Sequence, residues 1–234
     1  MHTFINVAMT ADGKLAPANR RFVPFGGERD IELLLDLRAR CDAVMSGART
    51  VDLYPVNLGP GPKRFREKRL KRGLAEYNLR IIVSGSGSVD PRAPIFKERF
   101  SPIIVLSSER ITRARLRALQ TVGAEVAIFG EREVDFVQAF RWLERQWKVK
   151  RLVCEGGGEV NDGLLRAGMV DEIYITICPL IFGGRGAPTP ADGKGFPNLA
   201  SALEFQMRSR KRVGEELFLV YRVAGRTRRT KSKS

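Results

Sequence analysis

The sequence predicts an α/β fold: a mostly parallel central sheet with helices on both faces and an antiparallel C-terminal edge. Three observations carry this expectation. Short apolar β-like runs alternate with helical patterns over the first three quarters of the chain, the order that builds a parallel sheet covered on both sides. Small-residue turns follow several of these runs directly, the last of them being Gly156-Gly157-Gly158. Two β-rich runs with no helix between them close the chain, as expected of an antiparallel edge.

The first strand spans residues 3–9 and ends at Thr10-Ala-Asp12-Gly13-Lys14, where Asp-Gly marks a turn. Residues 17–27 read as a loop, with Gly26-Gly27 just before a helical pattern over 28–40. There Ile31, Leu34, Leu35 and Arg38 fall at helical spacing, an apolar stripe ending in an arginine on the buried side. A strand at 43–46 runs into a small-residue loop from Gly47 to Thr50. Residues 54–78 carry Pro55, Pro60 and Pro62 and then a basic helical excursion over 63–77.

Regular structure returns with a strand at 80–83, ending in the small-residue loop from Ser84 through Gly85 to Ser88. A strand at 102–106 precedes a short helix that Thr112 caps and Gly123 ends. A further strand covers 125–129. Val134, Val137, Phe140, Leu143 and Trp147 then space a helix whose aromatic stripe reads as core. That helix leads into the order strand, glycine turn, helix, strand over 151–178. After a proline-rich loop, β runs at 203–208 and 216–223 either form a closing hairpin or pair separately. No linker or internal repeat is visible, so residues 1–224 read as one domain and 225–234 as a basic tail.

Glycines between a strand and a helix let a ligand approach the backbone, and the N–H groups opening the helix favour an anion. The alternative is a tight connection whose glycines serve packing alone. In an open α/β sheet ligands bind beyond the carboxyl ends of the strands, where the loops 47–50, 84–88 and 155–161 would converge. Three such loops favour a nucleotide site.

Composition narrows the classes further. Of 234 residues, 43% are hydrophobic and 29% charged, as in globular proteins rather than disordered chains. No apolar run approaches the roughly 20 residues needed to span a bilayer, and the N-terminus lacks the basic region of a secretory signal, so a cytoplasmic protein is expected. Cys41, Cys154 and Cys178 lie far apart and the single histidine is His2, which argues against a metal site or a disulfide framework. The formal charge of +15 permits nucleic acid, an anionic surface or a phosphorylated small molecule as partner. The basic runs lack the interleaved aromatics of a base-stacking platform, so nucleic acid is not favoured.

Four motifs carry a more specific signal: residues 6–15 (Asn-Val-Ala-Met-Thr-Ala-Asp-Gly-Lys-Leu), 42–51 (Asp-Ala-Val-Met-Ser-Gly-Ala-Arg-Thr-Val), 155–161 (Glu-Gly-Gly-Gly-Glu-Val-Asn) and 167–172 (Ala-Gly-Met-Val-Asp-Glu). In this order they resemble the reductase domain of riboflavin biosynthesis. Residues 179–196 are similar to its stand-alone form, the diaminohydroxy(ribosylamino)pyrimidine phosphate reductases. The resemblance runs from Thr3 to about Ala224. It implies a dihydrofolate-reductase-like fold, NADPH as cofactor, a homodimer, and reduction of a ribosylamino group to a ribitylamino group by hydride addition to C1′ through a ring-opened imine. No His-x-Glu with Pro-Cys-x-x-Cys is present, so reduction without deamination is expected.

Carried over residue by residue, the resemblance implies that Gly156, Gly157, Gly158, Glu159, Val160 and Asn161 hold cofactor phosphates and that Thr50, Ser84 and Gly85 contact NADPH. Glu155 faces the substrate, Lys14 and Arg38 lie near its phosphate or sugar, and Gly47 lines its site. Glu155, Lys14 and Asp52 are the catalytic candidates. Each key residue also has a plain structural alternative: Glu155 accepting backbone N–H groups, Arg38 capping its own helix, Lys14 solvated in its turn.

Two stretches depart from the family pattern. Asp52-Leu53-Tyr54-Pro55 stands where an acidic pair precedes a proline, and Arg20-Arg21-Phe22-Val23-Pro24-Phe25 replaces a loop of small hydroxyl residues. These changes leave open a reductase of the same fold acting on dihydrofolate or another pteridine.

Overall fold

The computed structural model describes residues 1–21 and 24–224, so the basic tail and Phe22-Val23 of the first loop lie outside the described residues. The chain runs β1 (His2–Thr10), α1 (Glu28–Arg38), β2 (Ala43–Gly47), α2 (Ala48–Leu53), α3 (Lys63–Lys71), β3 (Leu79–Val83), β4 (Ile103–Ser107), α4 (Arg113–Thr121) and β5 (Glu125–Ile128). It continues through α5 (Phe136–Gln146), β6 (Arg151–Cys154), α6 (Gly158–Arg166), β7 (Glu172–Cys178), β8 (Phe205–Val213) and β9 (Glu216–Val223).

All nine strands form one sheet in the order β5-β4-β3-β2-β6-β1-β7-β9-β8. Pairs from β5 to β7 are parallel. β9 pairs antiparallel with both β7 and β8, which resolves the final two runs as a hairpin added to the sheet edge. The chain steps from β2 outward to β5 and returns to insert β6 between β2 and β1, which puts the glycine turn after β6 near the middle of the sheet.

Strand periodicity explains the two cores. Along the parallel strands successive side chains point to opposite faces. Met45, Ile81, Ile104 and Leu152 pack with Phe136, Phe140, Leu143 of α5 and Leu164 of α6 on one face. Val44, Ile82, Val105 and Val153 pack with Leu37 of α1, Val51 of α2 and Leu119 of α4 on the other. Both faces being buried accounts for the continuous apolar runs in these strands. Truncating a fully buried residue such as Leu143 to alanine costs about 2–5 kcal/mol.

The ends of the elements follow from their capping residues. Thr112 Oγ1 accepts the Arg115 N–H and Asp135 Oδ1 accepts the N–H groups of Val137 and Gln138. Gly123 and Gly168 take positive φ just beyond α4 and α6. The edge strand β8 exposes Arg208, Arg210, Lys211 and Arg212 and carries a register shift between Met207 and Ser209, both features that discourage strand-to-strand association.

Three local expectations are corrected. The helix over 28–40 ends at Arg38, and its buried residues are Leu37 and Arg38, whereas Ile31 is 51% exposed. The assumed stripe fails because Ile31 and Leu34 face an open cleft rather than the core. The loop 47–50 is the last strand residue followed by the first turn of α2. The basic excursion is helical only to Lys71, and it is not simply a solvated face: Arg69 is 1% exposed. Its guanidinium donates to the carbonyls of Arg38 (2.8 Å), Cys41 (2.5 Å) and Ala75 (2.8 Å), tying α3 to the end of α1.

Candidate functional site

A cleft of about 1600 Å³ opens beyond the carboxyl ends of β2, β3 and β6. One small molecule takes about 300–1,000 Å³, so this cleft has room for two ligands side by side. Its lining includes Gly47 and Thr50 after β2, Ser84 and Gly85 after β3, and Glu155, Gly157, Gly158, Glu159 and Val160 after β6. The three small-residue segments therefore meet at one site.

The turn after β6 is built for close backbone approach. Gly156 has φ +85° and the Gly156–Gly157 peptide is cis. Gly47 donates its N–H to Gly156 O at 2.7 Å, and a Cβ on Gly47 would sit 3.0 Å from Val160 Cγ2. α6 begins at Gly158 with Gly157 as its N-cap and no side chain capping it. Val160 and Asn161 donate back to Gly157 O, while among the described residues the N–H groups of Gly158 and Glu159 have no partner. Free N–H groups at a helix start, beside a glycine turn, suit a phosphate. A Cβ on Gly85 would meet only Ser108 Oγ, at 3.9 Å, so a ligand can also lie against that turn.

Glu155 reaches the cleft wall as half of a buried ion pair. Arg38 Nε and Nη2 each donate to one Glu155 carboxylate oxygen at 2.6 Å, and Arg38 Nη1 donates to Gly59 O at 2.7 Å. The side chains are 9% and 11% exposed. This bidentate geometry fixes the carboxylate in orientation. It also engages Arg38, whose fork is directed at Glu155 and Gly59 and which is not among the residues lining the cleft.

Asp52 lines the cleft and accepts the Asp90 N–H at 3.0 Å. Although Asp52 is exposed as a whole, partial desolvation at the cleft raises its carboxyl from the ordinary value, the Asp90 N–H opposing this and the Asp90 carboxylate adding to it.

Other expected positions fall outside the lining. Lys14 sits in the turn after β1, its N–H donating to Thr10 Oγ1 and its carbonyl accepting the Thr10 N–H. Asn161 is fully buried, and its Nδ2 donates to Pro190 O at 2.9 Å, holding the loop after β7 against α6. Neighbouring Asp162 does the same through the N–H groups of Lys194 and Gly195. Gly156 serves the turn itself. Burial pushes the thiols of Cys41, Cys154 and Cys178 up to about 12, which removes them as nucleophiles at neutral pH. Among the described residues no group of three or more His, Cys, Asp or Glu side chains could hold a metal, and no helix is long and apolar enough to cross a membrane.

Sequence reasoning missed Asn6 and Asp30, which line the cleft, and the cations Arg110 and Arg185 at its wall. Asn6 leaves a signal, a lone amide inside the apolar run Phe4-Ile5-Asn6-Val7-Ala8. Asp30 leaves none, because an acidic residue in the first helical turn is ordinary.

An open, mostly parallel sheet with a glycine turn and a free helix start at its carboxyl end defines a class of α/β proteins that bind phosphorylated cofactors. Within it, this chain belongs to the RibD C-terminal domain family, which it matches over residues 2–219. It is 32% identical over 228 residues to the 2,5-diamino-6-ribosylamino-4(3H)-pyrimidinone 5′-phosphate reductase of Methanothermobacter thermautotrophicus, covering 96% of this chain and 99% of that one. Among solved structures it resembles a pyrimidine reductase-like protein of Corynebacterium diphtheriae (TM-score 0.75, 22% identity, 95% of this chain and 91% of that chain). It also resembles the Thermotoga maritima diaminohydroxyphosphoribosylaminopyrimidine deaminase/5-amino-6-(5-phosphoribosylamino)uracil reductase (TM-score 0.70, 17% identity, 95% and 56%). These two likenesses bear out the expected α/β architecture.

Proposed function

We propose that the protein is an NADPH-dependent reductase of the riboflavin-biosynthesis type, converting the ribosylamino group of a pyrimidine ribosyl phosphate to a ribitylamino group. The observation that carries this reading is the meeting of the uncapped α6 start and its glycine turn with the buried Arg38–Glu155 pair in a cleft large enough for cofactor and substrate together. When bound, NADPH supplies the hydride that adds to C1′.

The chain's own residues supply orientation and proton handling. Glu155, immobilised by Arg38, positions the sugar. Opening the ribose ring moves a proton onto the ring oxygen as the exocyclic nitrogen becomes an imine, and hydride addition then requires a proton at that nitrogen. Asp52 lines the cleft with its carboxyl raised by partial desolvation, so it is suited to hand on such a proton. The Gly158 and Glu159 N–H groups, with Thr50, Ser84 and Gly85, receive the cofactor. Arg110, which among the described residues makes no ion pair, lies on the cleft wall just beyond the β4 end that packs on the Ser84–Gly85 turn, and suits a 2′-phosphate. We further propose that the described residues form one domain acting in the cytoplasm, and that the chain forms a homodimer; Met207 and Leu217, about half exposed on the β8–β9 hairpin, support an apolar contact, which sedimentation equilibrium tests.

NADPH should raise the melting temperature more than NADH, because a ligand binding only the native state stabilises it. Arg110→Gln should abolish the difference. NADPH oxidation dependent on the 2,5-diamino-6-ribosylaminopyrimidinone phosphate should follow; oxidation with dihydrofolate instead would replace this reading.

A further inference from the structure

Two charged side chains stand at the start of α6 with no part in the chemistry described above. Arg49, in the first turn of α2, and Glu159, in the first turn of α6, both line the cleft, and Arg49 Nη1 lies 3.3 Å from Glu159 Oε1. The two turns are in contact. A Cβ on Gly47 would stand 3.0 Å from Val160 Cγ2 and 3.5 Å from the Gly157 nitrogen, and one on Gly157 would stand 3.4 Å from Thr50 Oγ1. Arg49 is thus carried to the same helix start whose Gly158 and Glu159 N–H groups have no partner among the described residues.

This ion pair differs in kind from those around it. Arg38 and Glu155 are buried and joined by two short hydrogen bonds, and Arg166 is held by Asp162 at 2.8 Å with Glu133 at 3.6 Å. Arg49 and Glu159 share one long contact, with side chains 60% and 68% exposed. An exposed pair of this geometry contributes little and breaks at little cost. Its two members also act oppositely on a phosphate. A carboxylate in the first helical turn occupies the positive end of the helix dipole and repels an anion seated there. An arginine in the facing turn attracts the same anion, and its planar fork can hold two of its oxygens.

We propose that Arg49 grips the cofactor diphosphate, exchanging Glu159 for phosphate oxygens, and that Glu159 restrains cofactor binding by competing for Arg49. This rests on the reductase reading above. It makes Arg49 a binding residue for the part of the cofactor that NADPH and NADH share. Arg110, beyond the end of β4, is left to the 2′-phosphate, so the two arginines act on different phosphates.

Calorimetric titration of wild type, Arg49→Gln and Glu159→Gln with NADPH and with NADH tests this. Arg49→Gln should weaken both dinucleotides by the same factor, about 10-fold, the loss expected of hydrogen bonds to a charged group less the cost of leaving Glu159. The ratio of NADPH to NADH affinity should keep its wild-type value, in contrast to Arg110→Gln, which erases it. Glu159→Gln should tighten both dinucleotides by about threefold, the scale of an exposed pair that no longer has to be broken. Both side chains are more than half exposed, so the variants keep the fold, which their melting temperatures without ligand check. Loss of NADPH affinity alone in Arg49→Gln would assign the residue to the 2′-phosphate and overturn the proposal. Unchanged affinities in Arg49→Gln, with or without a raised KM for the pyrimidine phosphate, likewise overturn it. Equal or weaker binding by Glu159→Gln overturns the competition. A wild type that binds neither dinucleotide overturns the reductase reading, and this proposal with it.

Discussion

Glu155 and Arg38 form a pair in which neither member is replaceable without exposing the other. Removing one partner of a buried pair leaves an uncompensated charge at a cost of about 3–5 kcal/mol. Glu155→Gln should therefore lower unfolding stability by about that amount and turnover by at least about 100-fold, the scale of a lost positioned group. Urea unfolding with steady-state kinetics checks both, and full activity in this variant would remove Glu155 from the mechanism. Asp30 carries a different signature. Burial raises its carboxyl above the ordinary 3.8, a hydrogen bond from the Thr176 hydroxyl opposes this, and the Glu216 carboxylate adds to it. A raised carboxyl favours folding most when protonated, below its unfolded value, and that favour is lost as pH rises through its folded value. The melting temperature of Asp30→Asn relative to wild type should accordingly be higher at pH 8 than at pH 4; a gap independent of pH would contradict the shift.

At the level of elements, two glycines with similar settings in the sequence have opposite structural roles. A Cβ on Gly158 would lie 2.5 Å from Thr189 O and 2.9 Å from Asp192 N, backbone atoms that cannot yield cheaply. Gly158→Ala should cost about 1–3 kcal/mol. On Gly85 a Cβ meets nothing closer than 3.9 Å, so Gly85→Ala should leave the unfolding midpoint within about 0.5 kcal/mol of wild type while raising KM for the cofactor. The contrast is read from paired unfolding and kinetic measurements, and an unchanged KM in Gly85→Ala would take that turn out of the cofactor site. The α3 helix gives a third case. Its Arg69 satisfies carbonyls at the end of α1, and Arg69→Met should destabilise by about 3 kcal/mol because those carbonyls lose charged donors. A basic run of this kind is indistinguishable in sequence from a solvated face; what sets Arg69 apart is that α3 packs against the α1–β2 junction.

For the whole molecule, one continuous sheet with a core on each face should unfold in a single cooperative step, and calorimetry showing two separable transitions would divide it. The charge of +15, with Arg110 and Arg185 at the cleft making no ion pair among the described residues, predicts that KM for NADPH rises with ionic strength as screening shortens the reach of those charges. The alternation of β and helical patterns was enough to set the fold class, because periodicity and turn chemistry are local. The family motifs were enough to single out the glycine turn, Thr50, Ser84 and Glu155, which the fold brings to one cleft, because each stands in or just after a strand whose turn is set locally. Which face of α1 is buried, where Arg38 directs its fork, why Asn161 and Asp162 hold a loop, and how Asp30 and Glu216 meet were settled by the assembled sheet. Those relations join residues far apart in the chain, such as Gly27 and Glu216, 189 positions apart, and only the insertion of β6 between β2 and β1, with β7 and β9 beyond, brings them together.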